Sequence, residues 1–88
     1  MGKTTKLEEF QKEQLDEIAN ALRSLRIENG YTNYDFLAYD LGISRSQYGA
    51  YENGQNMTLT TLMKIVNHYK MSLVDFFEYV KTTKAESK

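Results

Sequence analysis

Covalent chemistry has few candidates in this chain. There is no cysteine, and the single histidine, His68, has no identifiable serine and acid partner for a nucleophilic triad. No glycine-rich phosphate loop occurs, and no His/Asp/Glu cluster has metal-ligand spacing. Met1, Met57, Met63 and Met71 do not form a metal box; Met63 and Met71 read as core or loop fillers. The group with a distinctive non-covalent chemistry is Arg45. It is the one basic residue between Tyr31 and Thr60, a stretch that also holds Asp35, Asp40 and Glu52. Its planar fork can place two parallel donors on one acceptor edge. No enzymatic activity, cofactor or metal is expected.

The elements that must position Arg45 lie between Leu37 and Gly54, LAYDLGISRSQYGAYENG. Leu37, Ala38 and Leu41 have helical spacing, and Tyr34 extends their stripe by one turn. Gly42 stops this helix, because glycine takes up the left-handed backbone that a helix end often needs. Ser44 caps a second helix, with Gln47 at the box position and Ile43 and Tyr48 placed as a hydrophobic staple. The turn is therefore short and fixed in angle. Two helices joined in this way form a helix-turn-helix, whose second helix typically enters the DNA major groove with its first residues on the base edges.

The rest of the chain supplies a core for this unit. Helical pattern runs from about Leu7 to Glu28, with Ile18, Ala21, Leu22 and Leu25 as the core-facing stripe and Leu7 and Phe10 on a different face. Thr32 or Asn33 caps the next helix. After the central stretch, Asn53 to Met57 reads as a polar loop with Gly54 as its left-handed residue. Thr58 starts a fourth helix carrying Leu62, Ile65, Val66 and Tyr69. Ser72, with Asp75 at the box position, starts a fifth carrying Leu73, Phe76, Phe77 and Val80. The expected organisation is an N-terminal extension over 1–18 leading into the first helix, a helix-turn-helix domain over 19–80, and a polar, disordered tail over 81–88. Residues 1–6 are expected to fray.

Composition limits the function classes. The 88 residues suit one small domain, whose modest core would gain from a dimer interface. The absence of cysteine fits a reducing cytoplasm, and no apolar run approaches the ~20 residues of a membrane span. The absence of proline favours unbroken helices. The net charge of −1 argues against strong non-specific binding to nucleic acid. Specific binding remains open, because amides, hydroxyls and helix N-termini also hold phosphates.

Three segments together resemble the phage repressor and Cro class of helix-turn-helix regulators, the xenobiotic response element family. They are LRSLRIENG (Leu22 to Gly30), the central LAYDLGISRSQYGAYENG, and TLTTLMKIVNHYKMSLVDFF (Thr58 to Phe77). The resemblance covers roughly Ala19 to Val80. It implies an all-α, compact five-helix, lambda-repressor-like DNA-binding domain, here with an N-terminal helical extension. The implied role is a transcription regulator, a repressor, bound as a homodimer to a palindromic operator in double-stranded DNA. By matching position, Arg45, Ser46 and Gly49 are expected at base edges, with Arg45 pairing with guanine; Ala50, one step further on the same side, is expected to meet a thymine methyl, and Gln47 suits adenine, although its capping-box place competes for it. Asn33, Tyr34, Ser44, Asn53, Asn56 and Thr58 are expected at phosphates. Tyr34 stands where the family commonly has a glutamine, so one hydroxyl replaces an amide. Arg26 and Glu52 are expected to form a structural ion pair.

Several residues have plainer readings. Tyr48 and Tyr51 read as core, because a duplex offers no free base faces for stacking. His68 reads as a solvated helix residue. Phe36 and Tyr39 fall opposite the core stripe and are expected to be covered by the N-terminal extension. The alternative function on the same fold is a protein-binding module, such as an antitoxin or adaptor, motivated by the acidic balance and by Phe36 and Tyr39.

Overall fold

The computed structural model describes residues 5–86. They form five α-helices in the order α1 (Lys6–Glu28), α2 (Tyr34–Leu41), α3 (Arg45–Glu52), α4 (Leu59–His68) and α5 (Leu73–Glu86), with no strand. Local chemistry sets most of the boundaries. Asn33 caps α2 by accepting from the Asp35 amide at 2.9 Å. Gly42 ends it with φ 76°, the left-handed conformation that α2 needs to turn directly into α3. Thr58 caps α4, and Ser72 and Asp75 form a reciprocal box at the start of α5.

The core is built from one stripe of each helix. Ala21, Leu22 and Leu25 of α1 meet Leu37, Ala38 and Leu41 of α2, Tyr48 and Tyr51 of α3, Leu62, Ile65 and Val66 of α4, and Phe76 and Val80 of α5. α1 packs against α3 and α5, so α3 is held from behind by the longest helix. Burying a side chain such as Leu22 or Phe76 contributes about 1.5–3 kcal/mol each.

A polar network is set into this core. Arg26 donates from Nε to Glu52 Oε2 at 2.7 Å and from Nη2 to Oε1 at 3.1 Å. Its third arm, Nη1, donates to the Tyr31 carbonyl at 2.9 Å. The Tyr48 hydroxyl donates to Glu52 Oε2 at 2.6 Å, and Arg23 approaches Oε1 at 3.9 Å. Donating to Glu52 raises the already high pKa of Arg26 and outweighs the opposing desolvation. The Arg26–Glu52 pair thus joins α1, α3 and the chain entering α2.

Several expectations are corrected here. α5 does not stop at Val80 with a disordered tail; it continues to Glu86, and Lys84 pairs with Glu17 of α1 at 3.1 Å. Residues 87–88, the last of that tail, lie outside the described residues. Fraying of residues 1–6 is expected, but Thr5 and Glu8 form a capping box that fixes the start of α1; residues 1–4 lie outside the described residues. The extension does not cover Phe36 and Tyr39. It forms the first part of α1, and these rings stay 71% and 83% exposed. Of the apolar residues expected on the fifth helix, Phe76 is fully buried, whereas Phe77 stays 45% exposed. His68 is half-buried and bonded through Nε2 to the Tyr31 hydroxyl at 2.9 Å; that hydroxyl also donates to Asp40 at 2.8 Å.

Two buried phenols make the fold sensitive to alkali. Burial, and then the hydrogen bond to Glu52, push the Tyr48 hydroxyl far above its ordinary value of 10.0, and burial does the same to Tyr69. Above about pH 10 the unfolded chain has lost these protons while the folded chain keeps them, so unfolding releases protons. Stability is therefore fully present below pH 10 and falls as the pH rises, by about 1.4 kcal/mol per pH unit for each such hydroxyl. Urea unfolding between pH 8 and 11 is expected to show this fall. Tyr48→Phe should flatten it by one hydroxyl's share, and an unchanged slope in that variant would contradict the assignment.

Candidate nucleic-acid interface

α3 has two faces with different fates. Tyr48, Gly49, Tyr51 and Glu52 are buried, while Arg45, Ser46 and Gln47 are exposed and Ala50 is half-buried. The burial of the rear face, locked by the Glu52 network, leaves the start of α3 and the Ala50 side facing solvent. Ser44 caps the helix through the Gln47 amide at 3.0 Å. The reciprocal half of the expected box is not made. The Gln47 side chain donates instead from Nε2 to the Tyr51 hydroxyl at 3.1 Å, so its amide is tethered to the helix's own next turn.

The residues expected at base edges do not all face outward together. Arg45, Ser46 and Ala50 do. Gly49 does not: it is buried, and a Cβ added there would lie 2.8 Å from Cε2 of Tyr34. The ring of Tyr34 occupies the space a side chain would need, which corrects Gly49 from a base-contacting position to a packing one. Tyr34 also packs edge-on against Tyr48, with centroids 5.7 Å apart. Two guanidinium groups reach its ring, Arg26 at 5.1 Å and Arg45 at 5.6 Å. An open cleft of about 330 Å³ lies here, lined by Arg26, Thr32, Asn33, Tyr34 and Arg45.

Apart from Tyr34, half-buried against Gly49 and Tyr48, the residues expected at phosphates fall into two groups. Asn33, Ser44 and Thr58 are N-caps whose side-chain oxygens accept from the backbone of their own helices. Any anion contact at these points falls to the unpaired amides of the first turn. Asn53 and Asn56 lie in the loop after α3 and are exposed. Asn56 lines a groove with Phe10, Gln11, Gln14 and Leu15 of α1, so the loop runs beside the N-terminal half of that helix. Gly54, at φ 91°, comes close enough to α1 that a Cβ would meet Asp16 Oδ1 at 2.8 Å.

Sequence reasoning missed two groups. Asp35 forms an ion pair with Arg45, Oδ1 to Nε at 2.5 Å, across the α2–α3 junction. Lys64 of α4 brings a second cation to the motif, its Nζ 3.9 Å from where a Gly42 Cβ would stand. Ten residues separate Asp35 from Arg45 and nothing local marks the pair. Among the described residues no group of three or more His, Asp or Glu is placed to hold a metal, and no helix is long and apolar enough to cross a membrane.

Five helices, with the second helix of a helix-turn-helix exposed at its start and anchored behind by a buried ion pair, define a class, the DNA-binding regulators built on a helix-turn-helix. The helix-turn-helix family model matches residues 22–76, and the chain belongs to that family. It is 36% identical over 58 residues to antitoxin HipB of Escherichia coli (strain K12). That stretch is 65% of this chain and 65% of HipB, so the match spans just under two thirds of the relative's length. No solved structure matches the chain.

The contact at Gly49 gives a test of the arrangement. Alanine is a better helix former than glycine by about 1 kcal/mol, but here its methyl meets the Tyr34 ring, and such overpacking costs about 1–3 kcal/mol. Gly49→Ala is expected to be neutral to destabilising in the wild-type chain and stabilising in a Tyr34→Ala background. Thermal unfolding of the four proteins of this cycle measures the change of sign, and equal effects in both backgrounds would contradict the contact.

Proposed function

We propose that this chain is a sequence-specific double-stranded DNA-binding repressor that reads the major groove with the exposed face of α3. The observation that carries this reading is Arg45 at the first turn of α3, solvent-facing on a helix whose rear is fixed in the core. Arg45 would pair with a guanine, Ser46 would reach a neighbouring base edge, and Ala50 would meet a thymine methyl. Gln47 reads a base only by leaving Tyr51. The first-turn amides of α2, α3 and α4, beside Asn33, Ser44 and Thr58, would hold phosphates, with Tyr34, Asn53 and Asn56.

A homodimer on a palindromic operator completes the reading. The apolar groups available are Leu7 and Phe10 on the overhanging start of α1 and Phe77 on α5, all exposed in the single chain. In this arrangement residues 1–18 act as a dimer arm and 19–80 as the DNA-binding unit. A two-fold dimer places its recognition helices about 34 Å apart, one turn of DNA. Light scattering on the full chain is expected to give a dimer at micromolar protein; a monomer with and without operator would oppose it.

A second reading has its own support. The relative named an antitoxin, together with the unpacked rings of Phe36 and Tyr39 on α2, favours a protein partner on that face, with DNA binding retained or lost. The experiment that separates the readings is binding of wild type and Arg45→Ala to an operator found by selection from random duplexes, and to its single-base variants, at fixed salt. A base-reading Arg45 predicts weaker binding and relaxed preference at one position, about 1–3 kcal/mol. A uniform loss would make Arg45 a phosphate contact. No loss at all would favour the protein-binding reading.

A further inference from the structure

The ion pair between Asp35 and Arg45 has no evident structural purpose. Both side chains are largely solvent-exposed, 59% and 65%, and such pairs contribute little to stability. A carboxylate at this place also opposes DNA, because it adds negative charge beside a polyanion. Its position at the start of α2 suits that helix's own dipole, which any acidic first-turn residue would satisfy equally. What is particular to Asp35 is its partner and the atom it holds.

The contact runs through Nε, the inner nitrogen of the Arg45 fork. The Tyr34 ring lies 5.6 Å from the guanidinium carbon and restricts the same group from another side. Among the described residues no hydrogen bond from the two terminal nitrogens occurs. A guanine offers O6 and N7 as two parallel acceptors, and a fork held at Nε presents its terminal pair to them end-on. Arginine otherwise loses much side-chain freedom on binding, so a fork already held by a second group discriminates better than a free one.

We propose that Asp35 is a specificity-determining positioning residue, which fixes Arg45 through Nε so that its terminal nitrogens read one guanine. This rests on the DNA-binding reading of α3 given above. Asp35 itself touches no base. It acts through Arg45, and its negative charge lowers the affinity for every duplex while sharpening the choice among them.

The test uses the full chain and the operator selected by the wild type. Binding is measured at fixed salt on that operator, on substitutions of the guanine facing Arg45, and on a random duplex, for wild type, Asp35→Asn, Asp35→Glu, Arg45→Ala and the Asp35→Asn/Arg45→Ala double variant. Asp35→Asn is expected to reduce the preference for guanine by about three- to tenfold, a part of what a two-pronged contact supplies. Its affinity for the random duplex stays equal or rises, because a negative charge is gone. In the Arg45→Ala background the same change should move the preference by less than about twofold, since sites that act through one another are not additive. Asp35→Glu, which keeps a carboxylate, should restore part of the preference. The inference is overturned if Asp35→Asn strengthens binding to all duplexes equally with preference intact, which would make the carboxylate a simple electrostatic brake. It is also overturned if the loss of preference is the same without Arg45. A wild type that selects no sequence removes the DNA-binding reading and this inference with it. That outcome appears before any substitution is made, so the two failures are distinct.

Discussion

The position of α3 depends on one buried carboxylate. Glu52 is enclosed in the core and accepts from two nitrogens of Arg26 and from the Tyr48 hydroxyl. Buried ion pairs often add little net stability, because desolvation opposes the attraction; removing one partner alone costs about 3–5 kcal/mol. Their value lies in direction. Arg26 has three arms in use, and each ends on a different part of the chain or a different oxygen. The end of α3, the middle of α1 and the carbonyl of Tyr31 therefore have one mutual arrangement that satisfies them all, which apolar contacts alone do not impose.

From that anchor the front of the molecule follows. With Tyr48 and Glu52 held inward, Gly49 comes against α2, and the absence of a side chain lets the Tyr34 ring settle there. The ring lies near both guanidinium groups, one belonging to the anchor and one to the exposed face. Arg26 and Arg45 thus share an aromatic neighbour while serving opposite ends of the design: one is buried and has three hydrogen bonds, the other is exposed and held by a single carboxylate. Tyr34 thus has a packing role at the junction of the two helices. The first turn of α2 builds a wall against which Arg45 rests.

What could be read from the sequence was mostly what is decided within one turn of helix. The caps at Asn33, Ser44, Thr58 and Ser72, the left-handed Gly42 and the core stripes are local facts, set by spacing and side-chain chemistry. The same local logic failed where another side chain competes for a group, near or far in sequence. Gln47 has the right place for a capping box, yet Tyr51 one turn on takes its amide. His68 lies on a polar stretch of sequence, yet Tyr31, 37 residues away, takes its ring nitrogen. The tail after Val80 contains no glycine or proline to stop the helix, so polarity alone was a poor guide to its end, and Glu17 of α1 supplies Lys84 with a partner. Gly49 looked free for contact because sequence spacing gives the face of a helix and not what a neighbouring helix lays across it.

The charge pattern gives these side-chain arrangements their weight. A domain with net charge −1 and a single cation in its central thirty residues has little of the counterion release that drives most DNA affinity. Two routes remain for such a chain to bind well. One is avidity, through a second copy and a second recognition helix at fixed spacing. The other is preorganisation, in which each polar group reaches the duplex already in place and little order has to be created on binding. The second route is visible within a single chain. The rear of α3 is locked by Glu52, its start is capped by Ser44, and its arginine is bracketed by Asp35 and Tyr34. An acidic residue beside the exposed arginine of α3 is a poor choice for a protein that depends on general attraction to DNA. It suits one that has little such attraction and depends on the geometry of a few contacts.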